Sequence, residues 1–205
     1  TRYSGEYIKF GNDENNLYMI VSHENGSGTK ITSAEPLKHS GLFIGYSFGS
    51  NTIFSSSNFI GTFLNGDYLT NYVESTYRDM IEESTTWYLG TVSNASYKLA
   101  KYTNTNGTTL TSSRTSAKVG LLRFGELMSG QFERYAVKGG KTSTGLTTTY
   151  WTLTPFNASL VRSINDTGYN STGSPSDTYG VRPSMNLKSN VVITGGNGTK
   201  NSPFT

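Results

Sequence analysis

The 205-residue chain contains no cysteine. That absence excludes disulfides, thiolate metal sites and cysteine nucleophiles together. Charge is also scarce, at 15% of residues, and 17 Lys+Arg against 14 Asp+Glu leave a net +3. The small basic excess is spread along the chain at Lys9, Lys30, Lys38, Arg78, Lys98, Lys118 and Arg162. Nucleic-acid binders concentrate basic charge on one face because they must displace many counterions, so no nucleic-acid partner is expected. No apolar run approaches the ~20 residues that span a bilayer, and no membrane contact by this segment is expected. Thr1–Phe10 lacks a basic stretch followed by an apolar one, so it does not read as a signal peptide, and the chain reads as a mature or trimmed form.

What is present is apolar, aromatic and uncharged-polar. Hydrophobic residues make up 34%, with 14 Tyr, 10 Phe and 23 Gly. Disorder by charge repulsion needs high net charge and few aromatics, and neither holds. A chain of this length removes roughly 70% of its unfolded surface from water on folding. One domain over residues 1–205 is expected: an N-terminal meander plus helices (1–90), a polar excursion (91–116) and a C-terminal antiparallel sheet (117–205).

Local patterns fill in that outline. Tyr7–Phe10, Leu17–Val21 and Thr29–Thr32 read as three strands of a meander, the last two joined at Asn25-Gly26, a strong hairpin signal. Ser55-Ser56-Ser57 offers N-caps for a helix over Asn58–Leu64 that stops at Asn65-Gly66. Apolar spacings of three to five from Tyr68 to Ile81 predict a helical face with a break near Ser75. Thr85–Leu89 returns to strand chemistry, a hairpin is expected to turn at Asn106-Gly107, Ala117–Leu122 reads as a buried strand, and Phe124–Met128 as a short helix ending at Gly130. Gly139 to Gly145 reads as a glycine-rich link. Tyr150–Thr154, Ser159–Ile164 and Tyr179–Leu187 are expected to pair as one antiparallel layer, with Pro183 at an edge, an end or a bulge. Val191–Thr194 is expected as a final strand.

The sequences Tyr150-Trp151-Thr152-Leu153-Thr154-Pro155 and Gly180-Val181-Arg182-Pro183-Ser184-Met185-Asn186-Leu187-Lys188-Ser189-Asn190-Val191 resemble the closing pattern of a poorly characterised family of Gram-positive bacterial surface domains. Ile193 to Phe204 is similar to that family's ending, and Lys118–Leu122 with Gly125–Met128 to its middle block. The resemblance covers most of residues 117–205 and implies a place on pili or the cell wall, behind a prepilin-type helix or a secretion signal. The Trp…Gly-Val-Arg-Pro order also resembles C-type-lectin-like domains, including relatives of the formylglycine-generating enzyme, whose cysteine chemistry is missing here. The expected fold is therefore α+β and strand-rich, with antiparallel sheets, one or two short helices and a C-type-lectin-like architecture.

Candidate sites are few. His23 and His39 are the only histidines; both sit in turn-like polar contexts, and no Gly-x-Ser-x-Gly elbow accompanies them. Their spacing does not suit zinc. Calcium needs only oxygen ligands, which Asn165, Asp166, Asn170 and Asp177 offer. Tyr169 and Tyr179 flank that connection as surface candidates for stacking on a ligand. Trp87 and Trp151 read either as such a platform or as core, with Trp151 assigned to the core. Arg162 and Arg182 read as structural anchors that need a carboxylate or carbonyl partner when buried. Glu82-Glu83 and Glu74 with Asp79 read as solvated surface rather than a glycosidase pair. The Asn-x-Ser/Thr matches, such as Asn94-Ala95-Ser96, carry little weight in so polar a chain.

No catalytic residues and no cofactor are assigned, calcium remaining an option. The leading expectation is a non-catalytic structural or adhesive module, the globular head of a pilin-like or wall-associated protein, packing against copies of itself or other surface subunits. The alternative is a carbohydrate-binding module, with or without calcium, and a hydrolase is a distant third.

Overall fold

A computed structural model of the chain describes residues 2–24, 28–93, 113–129 and 148–205. The first strands are β1 (Tyr7–Lys9), β2 (Leu17–Glu24) and β3 (Gly28–Ser33), with a single 3-10 turn at Asp13–Asn15 after β1. Three two-residue strands follow: β4 (Lys38–His39), β5 (Leu42–Phe43) and β6 (Tyr46–Ser47). The helical segment holds α1 (Phe59–Leu64), α2 (Asp67–Asn71) and α3 (Ser75–Arg78). Next come β7 (Thr85–Tyr88), β8 (Arg114–Ala117), β9 (Gly120–Leu121) and α4 (Phe124–Ser129). The last third contains β10 (Tyr150–Pro155), β11 (Val161–Ile164), β12 (Asn170–Gly173), β13 (Thr178–Tyr179) and β14 (Pro183–Leu187).

The strand-rich expectation holds: every ladder between these strands is antiparallel, and the described helices are all short. The main sheet has the order β1-β2-β3-β14-β9. Its first three strands are the expected meander, with Glu24 paired to Gly28 at the closed end of the β2–β3 hairpin. Asn25-Gly26 lies outside the described residues, as do Asn106-Gly107, Gly130 and the glycine-rich stretch from Gly139 to Gly145. Four α-helices appear among the described residues where one or two were expected.

The proposed single C-terminal layer is wrong. β10 and β11 do pair, but their third partner is β12. β14 instead inserts between β3 and β9 in the main sheet, with Met185 opposite Ile31. The reason is burial. Every residue of β14 is buried, with β3 of the apolar meander on one flank and β9 on the other. β12, sequence Asn-Ser-Thr-Gly, carries no apolar signal of a strand. Pro183 opens β14, where its missing N–H costs no interior ladder bond. Arg182 precedes that strand rather than lying within it. Val191–Thr194 forms no strand, and Val192 is 74% exposed. Ala117–Leu122 is split, Ala117 ending β8 and Gly120 starting β9. The polar excursion ends earlier than expected, because Arg114–Ala117 pairs with β7.

The larger hydrophobic cluster runs from Ile8 to Phe204 and includes Tyr18, Tyr68, Trp87 and Trp151. A second cluster, around Met19, Phe124 and Tyr150, lies under α4. Each fully buried large side chain contributes about 1.5–3 kcal/mol relative to exposure. The Tyr18 and Tyr68 hydroxyls hydrogen-bond to each other inside the first cluster, and burial pushes both phenols up from their ordinary pKa. Main-chain bonds from Lys9 N–H to Phe204 C=O (2.8 Å) and Phe204 N–H to Tyr7 C=O (2.9 Å) lay the C-terminal residues along the outer edge of β1. That edge is therefore covered and is not available for strand pairing between subunits.

Beneath α4 sits a buried ion cluster. Lys30 Nζ donates to Glu126 Oε2 at 3.1 Å, and Arg123 N–H donates to Glu126 Oε1 at 3.1 Å. Burial opposes charge on Glu126, but Lys30 and Arg123 outweigh it and hold the carboxyl below its ordinary value.

Candidate functional site

The six residues expected to form a ligand site separate into two groups. At the β11–β12 turn, Asn165 Oδ1 accepts hydrogen bonds from Thr167 N–H (3.0 Å), Thr167 Oγ1–H (2.7 Å) and Tyr169 N–H (3.0 Å). Gly168 takes φ +81°, a left-handed value suited to glycine, to complete that turn. Asn165 therefore caps its own loop. Asp166 is half-buried beside it, Tyr169 is 67% exposed, and Asn170 opens β12 opposite Ile164.

Asp177 and Tyr179 lie beyond the far end of β12. Asp177 Oδ2 accepts from Ser174 N–H at 2.8 Å and closes a second turn. Tyr179 packs on Gly173, where a β-carbon would come within 2.4 Å of its ring. Four residues of strand, about 10 Å, separate Asn170 from this point. Among the described residues, no three acidic or histidine side chains gather as a metal site. Of the oxygens expected to hold calcium, Asn165 Oδ1 and Asp177 Oδ2 are engaged in closing turns.

Trp151, Arg162 and Arg182 are all buried. Arg162 Nε donates to Val92 C=O (3.0 Å), and its guanidinium lies 4.6 Å from the ring centres of both Phe124 and Phe156. Arg182 donates from Nε to Ser33 C=O (3.0 Å) and from Nη1 to the Tyr150 hydroxyl (2.9 Å). His23 and His39 lie exposed within β2 and β4, not in turns, and His23 Nδ1 bonds Thr29 Oγ1 at 2.9 Å. Glu83 is exposed and faces Lys118 at 3.1 Å and Lys188 at 3.8 Å, which holds its carboxyl below the ordinary value. Trp87 is core, its Nε1 donating to Ala117 C=O at 3.0 Å.

A concave surface lies where α1 meets β6, a region from which the sequence offered no candidates. It is a cleft of about 660 Å³ floored by Tyr46, Phe59 and Phe63, with Asp67, Ser57 and Thr62 at its polar margin. Two local devices build it. Asn58 caps α1, its Oδ1 accepting from Gly61 N–H (2.9 Å) while its Nδ2 donates to Phe48 C=O (3.1 Å). The expected serine caps yield to Asn58, because Ser55 Oγ accepts instead from Asn58 N–H (2.9 Å). Second, β6 pairs with β13, setting Tyr46 opposite Tyr179, and Trp151 Nε1 donates to Tyr46 C=O at 2.7 Å.

Phe59 is 59% exposed, and it adjoins the Tyr46 and Phe63 rings along the cleft. Tyr46 lies 6.1 Å from Phe59, ring centre to ring centre. Partial burial, and then Asp67, raise the Tyr46 phenol above its ordinary pKa, so it stays a neutral donor at physiological pH. Among the described residues, no lysine or arginine lines the cleft. Neither histidine lines it either, so it presents no imidazole base beside Ser57 or Thr62.

No family model, curated protein or solved structure matches this chain.

The geometry of the cleft is thus the structural basis for a functional reading. It offers two phenyl rings, a neutral phenol, the hydroxyls of Ser50, Ser57 and Thr62, and one carboxylate around an open floor. Aromatic faces suit the C–H faces of a sugar or another flat apolar surface, and the polar margin suits hydroxyls. The sequence did carry one signal, the Phe59–Phe63 pair at i,i+4 on α1, which places both rings on one helix face.

Proposed function

We propose that this chain is a non-catalytic recognition module of a bacterial cell-surface protein, and that the α1–β6 cleft takes a saccharide. The observation that carries this reading is the exposed Phe59 ring beside Tyr46 and Phe63, with Asp67 at the margin. Stacking on the rings supplies affinity, and Asp67 with the flanking hydroxyls selects by hydrogen bonding. The setting, the head of a pilin-like or wall-associated protein outside the cell, is supported by the resemblance of residues 117–205 to Gram-positive surface domains. Among the described residues no helix is long and apolar enough to cross a membrane. A C-type-lectin-like assignment belongs to the same proposal. It is supported by the meeting of the Trp151 strand with the Gly-Val-Arg segment, through Trp151 N–H to Gly180 C=O at 3.1 Å.

A glycan array on the purified chain tests the reading, repeated with Phe59→Ala and in the presence of EDTA. Selective binding that Phe59→Ala weakens and EDTA leaves intact is expected. Binding to no glycan, or binding indifferent to Phe59, overturns it.

A further inference from the structure

Lys30 and Asn186 stand directly opposite each other on β3 and β14. Residues so paired share one face of the sheet with β-carbons about 4.5–5.5 Å apart, well within the reach of a lysine stem. That face is covered. Trp87 lies over it, its indole against Gly120 of β9, and Lys30 Nζ sits 5.3 Å from the Trp87 ring centre. Glu126 comes down from α4, almost wholly buried, with Oε2 on Lys30 Nζ and Oε1 held by the Arg123 N–H. Asn186 is buried too, and its Oδ1 makes no hydrogen bond. A buried amide oxygen left without a donor is costly, and such groups call for an explanation. The site therefore assembles an amine, a carboxamide and a carboxylate touching the amine, with most water excluded.

We propose that Lys30 and Asn186 join in an intramolecular isopeptide bond, with Glu126 carrying the protons. A proton passes along the Lys30–Glu126 hydrogen bond from Nζ to Oε2, leaving a neutral amine with a free lone pair. Nζ attacks Asn186 Cγ. Glu126 then protonates the amide nitrogen Nδ2 and removes the remaining surplus proton from Nζ. The tetrahedral centre collapses, the Cγ–Nδ2 bond breaks, and ammonia leaves, taking the last proton from Glu126 as ammonium. One Nζ–Cγ bond forms, one ammonium ion is released, and neither oxidant nor reductant is required. Arg123 keeps Oε1 anchored, so Oε2 stays turned to the reacting amine. The product ties β3 to β14 covalently, at the junction where the C-terminal third enters the main sheet.

Intact-mass spectrometry of the whole chain tests this, followed by peptide mapping. The expected mass lies below the sequence mass by one ammonia, with a branched peptide linking Lys30 to Asn186. Lys30→Arg restores the full mass, and Asn186→Asp loses water in place of ammonia. Glu126→Gln keeps the shape of the carboxyl but leaves the bond unformed; a linked Glu126→Gln chain overturns the proton-carrier role. A wild-type chain at full sequence mass overturns the bond itself. So does an ammonia loss that persists in Lys30→Arg, which marks a succinimide at an Asn-Gly pair such as Asn65-Gly66.

Discussion

Tyr46 and Phe63 lie almost face to face, ring centres 4.0 Å apart and planes 20° from parallel. The stack joins β6 to α1 and is backed by Trp151, whose own ring meets Tyr179 at 4.5 Å. Phe63 is thus fixed by packing, while Phe59, one turn earlier, is left toward solvent. A rigid aromatic floor with one exposed ring loses little side-chain entropy when a ligand covers it.

Replacing that exposed ring should separate binding from folding. Phe59→Ala is expected to weaken saccharide binding about tenfold or more, equivalent to ~1.4 kcal/mol. Its melting temperature should stay close to wild type. Titration calorimetry beside a thermal melt checks both.

Asn58 performs two tasks, and two variants divide them. Asn58→Ala removes the α1 cap and the Nδ2 bonds to Phe48 and Ile53 carbonyls. It should cost up to about 2 kcal/mol, the upper end for a lost cap. Asn58→Asp keeps the acceptor for Gly61 N–H but loses the Nδ2 donors, and should fall between. Urea unfolding of the three proteins gives the order.

Gly120 has no room for a side chain, because a β-carbon there would lie 2.6 Å from the Trp87 indole. Gly120→Ala should destabilise by about 1–3 kcal/mol through overpacking. The near-ultraviolet circular dichroism of the tryptophan band should change with it.

The buried tyrosine pair sets an alkaline limit. Burial raises both the Tyr18 and Tyr68 phenols above the ordinary 10.0. Unfolded tyrosines lose their protons near pH 10 while the folded ones keep theirs, so the folded state binds more protons there. Stability from this source is complete below about pH 10 and falls as pH rises beyond it. Tyr18→Phe should flatten that fall, measured as urea midpoints between about pH 9 and 11.

Local chemistry was legible in the sequence, and long-range pairing was not. The β1–β3 meander could be read because its apolar alternation and the hairpin signal of Asn25-Gly26 both act within a few residues. Likewise α1 showed in the cap candidates before it and its Asn65-Gly66 stop. β14 misled because its apolar residues suit any buried neighbour, and only the folded chain shows that Met185 meets Ile31 rather than β11. β12 escaped because Asn-Ser-Thr-Gly pairs by main chain alone. Val191–Thr194 has strand composition but no strand to join. The cleft was invisible for a related reason: Tyr46 and Phe59 meet only where α1 docks on β6, whose own partner β13 lies more than a hundred positions away. The Lys30–Glu126 contact likewise joins residues far apart in the chain.

The tail that covers β1 also decides how the molecule meets a load. Ile8 and Phe204 form a parallel bridge. Pulling the chain's two ends in opposite directions drags these segments lengthwise past each other, straining the Tyr7, Lys9 and Phe204 main-chain bonds together instead of peeling them singly. The seam is therefore a shear clamp, strongest against force applied end to end.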